Sequence, residues 1–418
     1  MRLQQINVER EEQEGRGPSG EMRLGDVRAL LPGLIERYAG QVQVIYLDPP
    51  FRTGQTFVMR VRVGEKEWKS GAGSLAQTAY ADDMPFDAYM ALMRETLTGA
   101  KRLLSETGVI YLHIDYHMHP YLRLLMDEIF GEANFLNEII WSYQTGGRAR
   151  RFFSRKHDVI LFYRKSRKYY FNLESVPVSR QDTRRNHMKR HVDADGRVYR
   201  SIKSGGKIYT YYDDEPAFPG DVWDDVSHLQ QKDPQRTGYD TQKPLRLLER
   251  VILSSSQPGD LVCDLFAGSG TTLEAAWLNG RRFLGTDLNP YSLQTVRRRL
   301  NGANVTYTAP ECAGSPAAEA SAAPGIAFYD VRLEKYEVEP GVCARLFSGL
   351  DAVDNWAVGY LREGAFRCMA SDFRLRQKPE LKTVLQLPVL EGVPCLRVGD
   401  VLGRYFYYAL DCAEGDQR

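Results

Sequence analysis

The sequence has few cysteines and no long apolar run. Its six cysteines are scattered through 418 residues without a C-x-x-C pair, which argues against a disulfide framework and against a zinc ribbon. The N-terminal residues lack the apolar core of a secretion signal, and no later apolar run is long enough to cross a bilayer. We therefore expect a cytoplasmic protein without a membrane partner.

The sequence also lacks a marked net charge, because 55 Lys and Arg residues offset 54 Asp and Glu residues. Its hydrophobic content of 43% and charged content of 26% are typical of globular proteins. The length predicts two or three domains. Basic residues nevertheless cluster between residues 148 and 207, which indicates either a solvated face or a phosphate-binding surface. The candidate contacts to nucleic acid are Arg148, Arg150, Arg151, Arg184, Arg185, Lys189 and Arg190.

Residues 44–51, VIYLDPPF, form an apolar run that ends in an acid, two prolines and an aromatic residue. Proline lacks a backbone N–H group and has a restricted φ angle, so Pro49 and Pro50 end the strand and stiffen the turn. The turn is either a simple strand end capped by Asp48 or a rigid mount for Asp48 and Phe51.

Residues 260–289, DLVCDLFAGSGTTLEAAWLNGRRFLGTDLN, predict a strand, a glycine-rich turn, a helix and a second strand. Gly268 and Gly270 leave the backbone accessible to a ligand, unless they serve only a tight turn. Asp287 follows at the distance where an acid binds ribose hydroxyls. The spacing differs from the dinucleotide and P-loop motifs. A nucleoside without a phosphate chain fits this pattern better.

Together these motifs resemble those of the DNA amino-methyltransferases. DLFAGSGTT is similar to their S-adenosylmethionine-binding motif, and DPPF is similar to their catalytic Asp-Pro-Pro-Tyr/Phe motif. The catalytic motif comes first, as in the permuted β class of restriction-modification and orphan enzymes. The resemblance covers about residues 24–308 and includes GVIYLHID (108–115), HDVILFYRKS (157–166), TQKPLRLLERVI (241–252) and NPYSLQTVRRRL (289–300).

The resemblance implies a role for each motif. The Asp48 carboxylate and the Pro49 carbonyl would accept the hydrogens of the target amine, Pro50 would stiffen the turn, and Phe51 would stack on a flipped base. S-adenosylmethionine would be the cofactor, and no metal is implied. The residues expected to bind the cofactor are Lys243, Asp264, Phe266, Gly268, Gly270, Thr271 and Asp287. Arg52 and Asp240 depart from the family pattern, which has asparagine and proline more often at these positions.

Two further patterns have competing interpretations. HIDYHMH gathers His113, Asp115, His117 and His119 as if for a metal, but the family requires none. Pro394-Cys395 matches the nucleophile dipeptide of cytosine-C5 methylases, yet it lies outside the matched region. We expect Cys395 to be a buried strand residue.

We expect an α/β fold with a doubly wound, mostly parallel Rossmann-like methyltransferase sheet. The expected divisions are a disordered N-terminus (1–22), a methyltransferase domain (23–308) with a target-recognition insertion (165–235), a linker (309–325), and a β-rich or α+β module of unknown role (326–418).

The expected substrate is double-stranded DNA. Adenine N6 is the favoured target because Asp48 resembles the adenine enzymes; cytosine N4 stays open. An RNA or protein methylase and a catalytically inactive DNA-binding module are further alternatives. A cognate restriction endonuclease and a second copy of the chain are additional candidate partners.

Overall fold

The computed structural model describes residues 3–62, 64, 74–143, 149–178, 188–230, 233–239, 241–338, 349–375 and 377–412. Its described strands form one 15-stranded sheet, two three-stranded sheets and one two-stranded sheet. None of the helices in these ranges combines the length and the apolarity that crossing a bilayer requires.

The middle of the large sheet is mostly parallel, as predicted. Its strands are β3 (Arg16–Leu24), β4 (Val42–Leu47), β7 (Leu104–Ile114), β8 (Phe135–Ser142), β9 (His157–Arg164), β13 (Val222–Trp223), β14 (Leu261–Asp264), β15 (Arg282–Asp287) and β16 (Ala303–Thr308). Their order in the sheet is β16-β3-β15-β14-β4-β7-β9-β8-β13, and among them only β9 runs antiparallel to its neighbours.

Helices cover both faces of this sheet, which confirms the doubly wound α/β fold. Val44 and Tyr46 of β4 face one apolar core, and Ile45 and Leu47 face the other, because side chains alternate along a strand. One core includes residues of α4 (Leu245–Ser255), α5 (Thr271–Leu278) and α6 (Pro290–Arg299). The other includes residues of α1 (Val27–Tyr38), α2 (Phe86–Leu103) and α3 (His119–Phe130).

The prediction of a disordered N-terminus is wrong for the described residues. Residues 4–24 contain β1 (Gln4–Ile6), β2 (Arg10–Gln13) and β3. Glu11 is fully buried and pairs with Arg297 and Arg397. The acid-rich composition suggested a solvated tail. The burial of Glu11 could not be predicted from the nearby sequence, because its partners lie 286 and 386 residues away along the chain.

The C-terminal residues continue the same sheet. Strand β2 lies between β16 and β20 (Ala365–Phe373), and β19 (Val353–Arg362), β22 (Val393–Asp400) and β23 (Tyr405–Ala409) follow. The expected buried strand position of Cys395 is confirmed in β22.

The predicted linker is wrong over β17 (Ala317–Pro324), which pairs with β18 (Phe328–Glu337) in a sheet completed by β21 (Val384–Pro388). Ala318 and Ala320 are buried against Val331 and Tyr336. Small side chains therefore serve packing here, although the same composition is typical of linkers.

The expected recognition insertion contains a separate antiparallel sheet of β10 (Lys189–Val192), β11 (Val198–Ser204) and β12 (Lys207–Tyr212). The remaining pair is the hairpin of β5 (Thr56–Arg62) and β6 (Ser74–Ala81).

Candidate active site

Three acidic residues end three adjacent parallel strands. Asp48 follows β4, Asp264 ends β14 and Asp287 ends β15. The carboxyl ends of parallel strands meet at one edge of a sheet, which is where open α/β sheets bind ligands. A cavity of about 420 Å³ lies at this edge, and all three acids line it.

The cavity joins the two sequence motifs. The predicted site residues that line it are Asp48, Pro50, Lys243, Asp264, Phe266, Gly268, Thr271 and Asp287. Pro49, Phe51 and Gly270 are not among its lining residues. The structure thus brings most of the predicted catalytic and cofactor residues to one cavity.

Asp48 forms an ion pair with Lys243 through Oδ2. Its other carboxylate oxygen, Oδ1, is buried and has no hydrogen-bond partner among the described residues. The Lys243 ammonium group also lies 5.4 Å from the centroid of the Phe51 ring. The DPPF turn therefore presents an aspartate with one engaged oxygen and one available acceptor.

Asp82 supports the chain just after this turn, and the motif analysis missed it. The backbone N–H groups of Arg52 and Thr53 donate to its two carboxylate oxygens at 2.7 and 2.8 Å. Arg52 has φ +56°, a conformation that asparagine adopts more readily than most residues. The departure from the family pattern at Arg52 therefore falls on a strained position, which Asp82 stabilises.

A buried network lies beside Phe51. The His113 ring centroid is 5.9 Å from that of Phe51, and its Nδ1 lies 2.6 Å from the Tyr46 hydroxyl. Its Nε2 lies 3.2 Å from Asp158. Burial raises the pKa of Asp158, but His113 and Lys243 outweigh this effect and hold the pKa below its usual range. In the sequence, His113 belongs to a family-like segment and to an apparent metal cluster; in the fold its ring packs beside that of Phe51.

Asp264 organises the glycine-rich turn. Its carboxylate accepts the Phe266 N–H group at 3.0 Å and the Thr272 hydroxyl at 2.5 Å. Burial raises the pKa of Asp264 to about 7 despite these hydrogen bonds, which lower it. Both oxygens therefore already have partners within the chain, so the residue shapes the turn as well as lining the cavity.

Asp287 lies across the turn from Asp264. Its oxygens accept the backbone N–H groups of Gly268 at 2.7 Å and Asn289 at 2.8 Å. Burial raises the pKa of Asp287 to about 6. Asp287 also lines the cavity, so its carboxylate borders the space in which the ribose of a nucleoside would lie.

The two glycines of the turn serve different purposes. Both have positive φ angles, +51° at Gly268 and +77° at Gly270. A Cβ atom at Gly268 would lie at an ordinary 3.6 Å from Tyr239, whereas one at Gly270 would lie 2.6 Å from Val296 Cγ2. Gly270 is therefore required by packing, and only Gly268 borders the cavity.

Thr271 connects the two halves of the site through a hydrogen bond from its hydroxyl to the Lys243 carbonyl at 3.3 Å. Helix α4 begins directly after Pro244, as suits a residue without a backbone N–H group, and Leu248 and Ile252 are buried. Its position places Lys243 just before the helix and within reach of Asp48.

The candidate DNA contacts lie in two places. Arg150 and Arg151 are exposed in the connection between β8 and β9, and Lys189 and Arg190 are exposed on β10. Arg148, Arg184 and Arg185 fall outside the described residues.

The carboxyl edge of the parallel sheet thus carries a glycine-rich turn beside an Asp-Pro-Pro-aromatic turn, as the resemblance to Rossmann-like methyltransferases that act on amino groups implies. A family model described as DNA methylase matches residues 42–298, and the chain belongs to this family of N6 and N4 DNA methyltransferases. S-adenosylmethionine is the methyl donor of the family.

The chain is also similar to individual proteins. The chain is 29% identical over 306 residues to the type II methyltransferase M.EcaI of Enterobacter cloacae, covering 62% of this chain and 65% of that protein. It is 28% identical over 277 residues to the DNA adenine methyltransferase YhdJ of Escherichia coli K12, covering 66% and 81%. The solved structure of the cytosine-N4-specific PvuII DNA methyltransferase is 14% identical with a TM-score of 0.44, covering 72% of this chain and 98% of that one.

Proposed function

We propose that the protein transfers a methyl group from S-adenosylmethionine to the N6 amine of an adenine flipped out of double-stranded DNA. The observation that carries this proposal is the Asp48 carboxylate, whose Oδ1 is buried without a partner among the described residues. It lines the same cavity as the nucleoside-binding candidates Gly268 and Asp287. The proposed acceptor and the proposed cofactor residues thus line one cavity.

The chemistry requires an acceptor at this position. The lone pair of an exocyclic amine is delocalised into the ring, which makes the amine a poor nucleophile. The Asp48 carboxylate and the Pro49 carbonyl would accept its two hydrogens and direct the lone pair toward the methyl group. This is catalysis by positioning and electrostatic preorganisation. Phe51 would stack on the flipped base.

The residues that would hold S-adenosylmethionine suit its parts. Asp287 lines the cavity and would accept the ribose hydroxyls, and the bare backbone at Gly268 permits close approach. Phe266 supplies an aromatic surface at the same cavity. The bound cofactor would supply an electrophilic methyl group on a sulfonium. Lys243 would stay near the acceptor Asp48, with which it forms an ion pair.

Adenine is proposed over cytosine on two grounds. An aspartate at the first position of the catalytic motif resembles the adenine enzymes, and the relative YhdJ is named as a DNA adenine methyltransferase. Cytosine N4 is the second candidate, because the matched family includes both activities.

The test is to incubate the protein with unmethylated DNA and S-adenosylmethionine and to identify the modified nucleosides by mass spectrometry. We expect N6-methyladenine, and none with an Asp48→Ala variant. N4-methylcytosine alone would contradict the choice of base. Methylation of RNA or protein in parallel assays, without methylation of DNA, would contradict the substrate class, and DNA binding without any transfer would indicate an inactive reader.

We also propose that residues 165–235 recognise the target sequence and that the enzyme belongs to a restriction-modification system. M.EcaI is named as a type II methyltransferase, which supports this context. DNA methylated by the protein should then resist a cognate endonuclease. Sedimentation analysis would decide whether the enzyme is a homodimer.

A further inference from the structure

The connection between β8 and β9 lies at the same edge of the sheet as Asp48. Strands β4 and β7 are parallel, and β9 is antiparallel to both β7 and β8. Strand β8 therefore runs in the direction of β4, and its carboxyl end reaches the edge where the cavity lies. Because of this topology, the chain after β8 emerges on the catalytic side of the sheet.

Hydrogen bonds join the two ends of this connection to each other and to the residues beside Phe51. The Tyr143 N–H group donates to the Lys156 carbonyl at 2.9 Å, which joins the beginning of the connection to its end. The Tyr143 hydroxyl donates to Asp158 at 3.0 Å, and Asp158 contacts His113 beside Phe51. The base of the connection is thus attached to the residues that support the Phe51 ring.

The far part of the connection, residues 150–155, is here named the tip. The Ala149 N–H group donates to the Ser154 hydroxyl at 3.0 Å. This hydrogen bond closes a loop around residues 150–153. Phe152 and Phe153 lie within it, with exposed fractions of 60% and 99%. Adjacent exposed aromatic side chains are uncommon on a free protein surface and indicate a partner.

The tip is also basic. Arg150, Arg151 and Arg155 are exposed there. The Arg155 guanidinium lies 4.1 Å from the Tyr116 ring centroid and 4.9 Å from that of Phe152. Cationic side chains around an apolar ring suit a partner with phosphates outside and an apolar stack inside, which is the surface of a nucleic acid duplex.

We propose that Phe153 enters the base stack of the DNA duplex and occupies the space left by the flipped target base. This inference rests on the proposed function. Extruding a base costs stacking energy and leaves a gap, which an apolar side chain can fill. Phe152 already contacts Arg155, whereas Phe153 is almost completely exposed and follows the two exposed arginines. Arg150 and Arg151 would meet the flanking phosphates.

The test compares Phe153→Ala with the wild-type enzyme on two DNA duplexes. One carries the target adenine in a normal pair, and the other places an abasic site opposite it, so that flipping is already easy. On the normal duplex we expect kcat/KM to fall about tenfold or more. In a copy of this duplex with 2-aminopurine at the target position, the variant should cause a smaller increase in fluorescence than the wild-type enzyme does. On the abasic duplex the loss should be less than about threefold.

Two further variants control for folding and surface effects. Phe153→Trp keeps an aromatic wedge and should retain most of the activity on the normal duplex. Leu278→Ala removes a 54% exposed apolar side chain at the end of α5. Since α5 begins at the carboxyl edge of β14 and runs back along the sheet, Leu278 lies away from the catalytic edge. This variant should match the wild-type enzyme on both duplexes.

The outcomes separate this inference from the proposed function. Failure of the wild-type enzyme to methylate DNA would contradict the proposed function and this assignment with it. If the wild-type enzyme methylates DNA, equal losses on both duplexes, or no loss on either, would overturn the wedge role alone. A changed mass in solution for Phe153→Ala, with unchanged selectivity between duplexes, would assign the ring to contact between copies instead.

Discussion

Lys243 forms an ion pair with Asp48 across 195 positions of the chain. The pair connects the DPPF turn after β4 with the segment that precedes α4, and the hydroxyl of Thr271 in the glycine-rich turn donates to the Lys243 carbonyl. The ammonium group balances a carboxylate that is largely shielded from water. The two motifs are therefore connected through Lys243, by an ion pair on one side and a backbone hydrogen bond on the other.

Replacing Asp48 with Ala should lower kcat by about 10²–10³-fold or more, because the acceptor that localises the amine lone pair is lost. Cofactor affinity should change little, since Asp287 and Gly268 are untouched. Single-turnover methylation assays and calorimetry measure the two effects separately. The control variant is Asp83→Ala, because Asp83 is an exposed acid that follows Asp82 in the chain. Its kcat and its cofactor affinity should match those of the wild-type enzyme. An active Asp48→Ala enzyme would contradict the mechanism.

Valine substitutions at Gly268 and Gly270 should have different consequences. Both positions have positive φ angles, so backbone strain is common to the pair. Gly268→Val places a branched side chain at the cavity and should weaken S-adenosylmethionine binding about tenfold or more. Gly270→Val collides with Val296 and should cost at least about 1–3 kcal/mol of folding free energy.

Calorimetric titration and thermal denaturation of both glycine variants would test this contrast. Unchanged cofactor affinity in a folded Gly268→Val protein would refute its assignment to the cofactor site. Equal stability of the two variants would refute the packing role of Gly270.

Cofactor binding should depend on pH through Asp287. Burial raises the pKa of its carboxyl group to about 6 in the folded protein, compared with about 3.9 in an unfolded chain. Between these two pH values the folded protein keeps a proton on Asp287 that the unfolded chain has lost. The stability that this proton contributes to the folded state is therefore lost as pH rises toward about 6. Ribose hydroxyls favour the ionised carboxylate that accepts them, so binding should release protons and tighten from about pH 5 to about pH 7.

Calorimetry in two buffers of different ionisation enthalpy would measure this proton release. Asp287→Asn should reduce it, with Asp264 left to titrate near its raised pKa of about 7. Identical proton release by the wild-type and Asp287→Asn proteins would contradict the assignment.

Glu11 should be critical for stability although it lies far from the active site. Burial raises its pKa, but Arg297 and Arg397 outweigh burial and hold it below the usual range. Glu11→Gln leaves two buried guanidinium groups without their counter-charge, which should cost about 3–5 kcal/mol. Glu12→Gln, at a part-exposed pair with Arg10, should cost about 0–1 kcal/mol.

Denaturant titration of the two glutamate variants would compare them. Wild-type stability of Glu11→Gln would show that the ion pairs of Glu11 with Arg297 and Arg397 do not stabilise the fold.

Lys189 and Arg190 offer a test of the recognition insertion, because both are exposed on β10. If they meet phosphates, each substitution by Ala should weaken binding to every DNA and reduce the log–log salt slope by about 0.9. If Arg190 instead reads a guanine edge, its loss should cost about 1–3 kcal/mol at one position of the site.

Fluorescence anisotropy across a salt series would distinguish these cases. Arg94→Ala serves as the control, since Arg94 pairs with Glu128 on the helices α2 and α3. Variants of residues 189 and 190 with unchanged affinity, slope and specificity would show that this strand is only a solvated face.

The structure differs from the sequence-based expectation in two segments whose packing partners lie elsewhere in the chain. The segment around Glu11 has the composition of a solvated tail, and residues 317–324 have that of a linker, yet both are strands. Composition reports the average environment of such residues, whereas burial depends on which strand or helix packs against them. Arg297, Arg397 and Tyr336 supply that environment here.

The sequence by itself determined the two motif turns and the alternation of strands and helices, because proline, glycine and hydrophobic periodicity act on the local backbone. Only the tertiary structure decided that Lys243 pairs with Asp48, that His113 supports Phe51 and that Gly270 is required by packing against Val296. These relationships depend on which strands become neighbours in the sheet. Neighbour choice is set by the burial of whole apolar faces, and no short stretch of sequence contains that information.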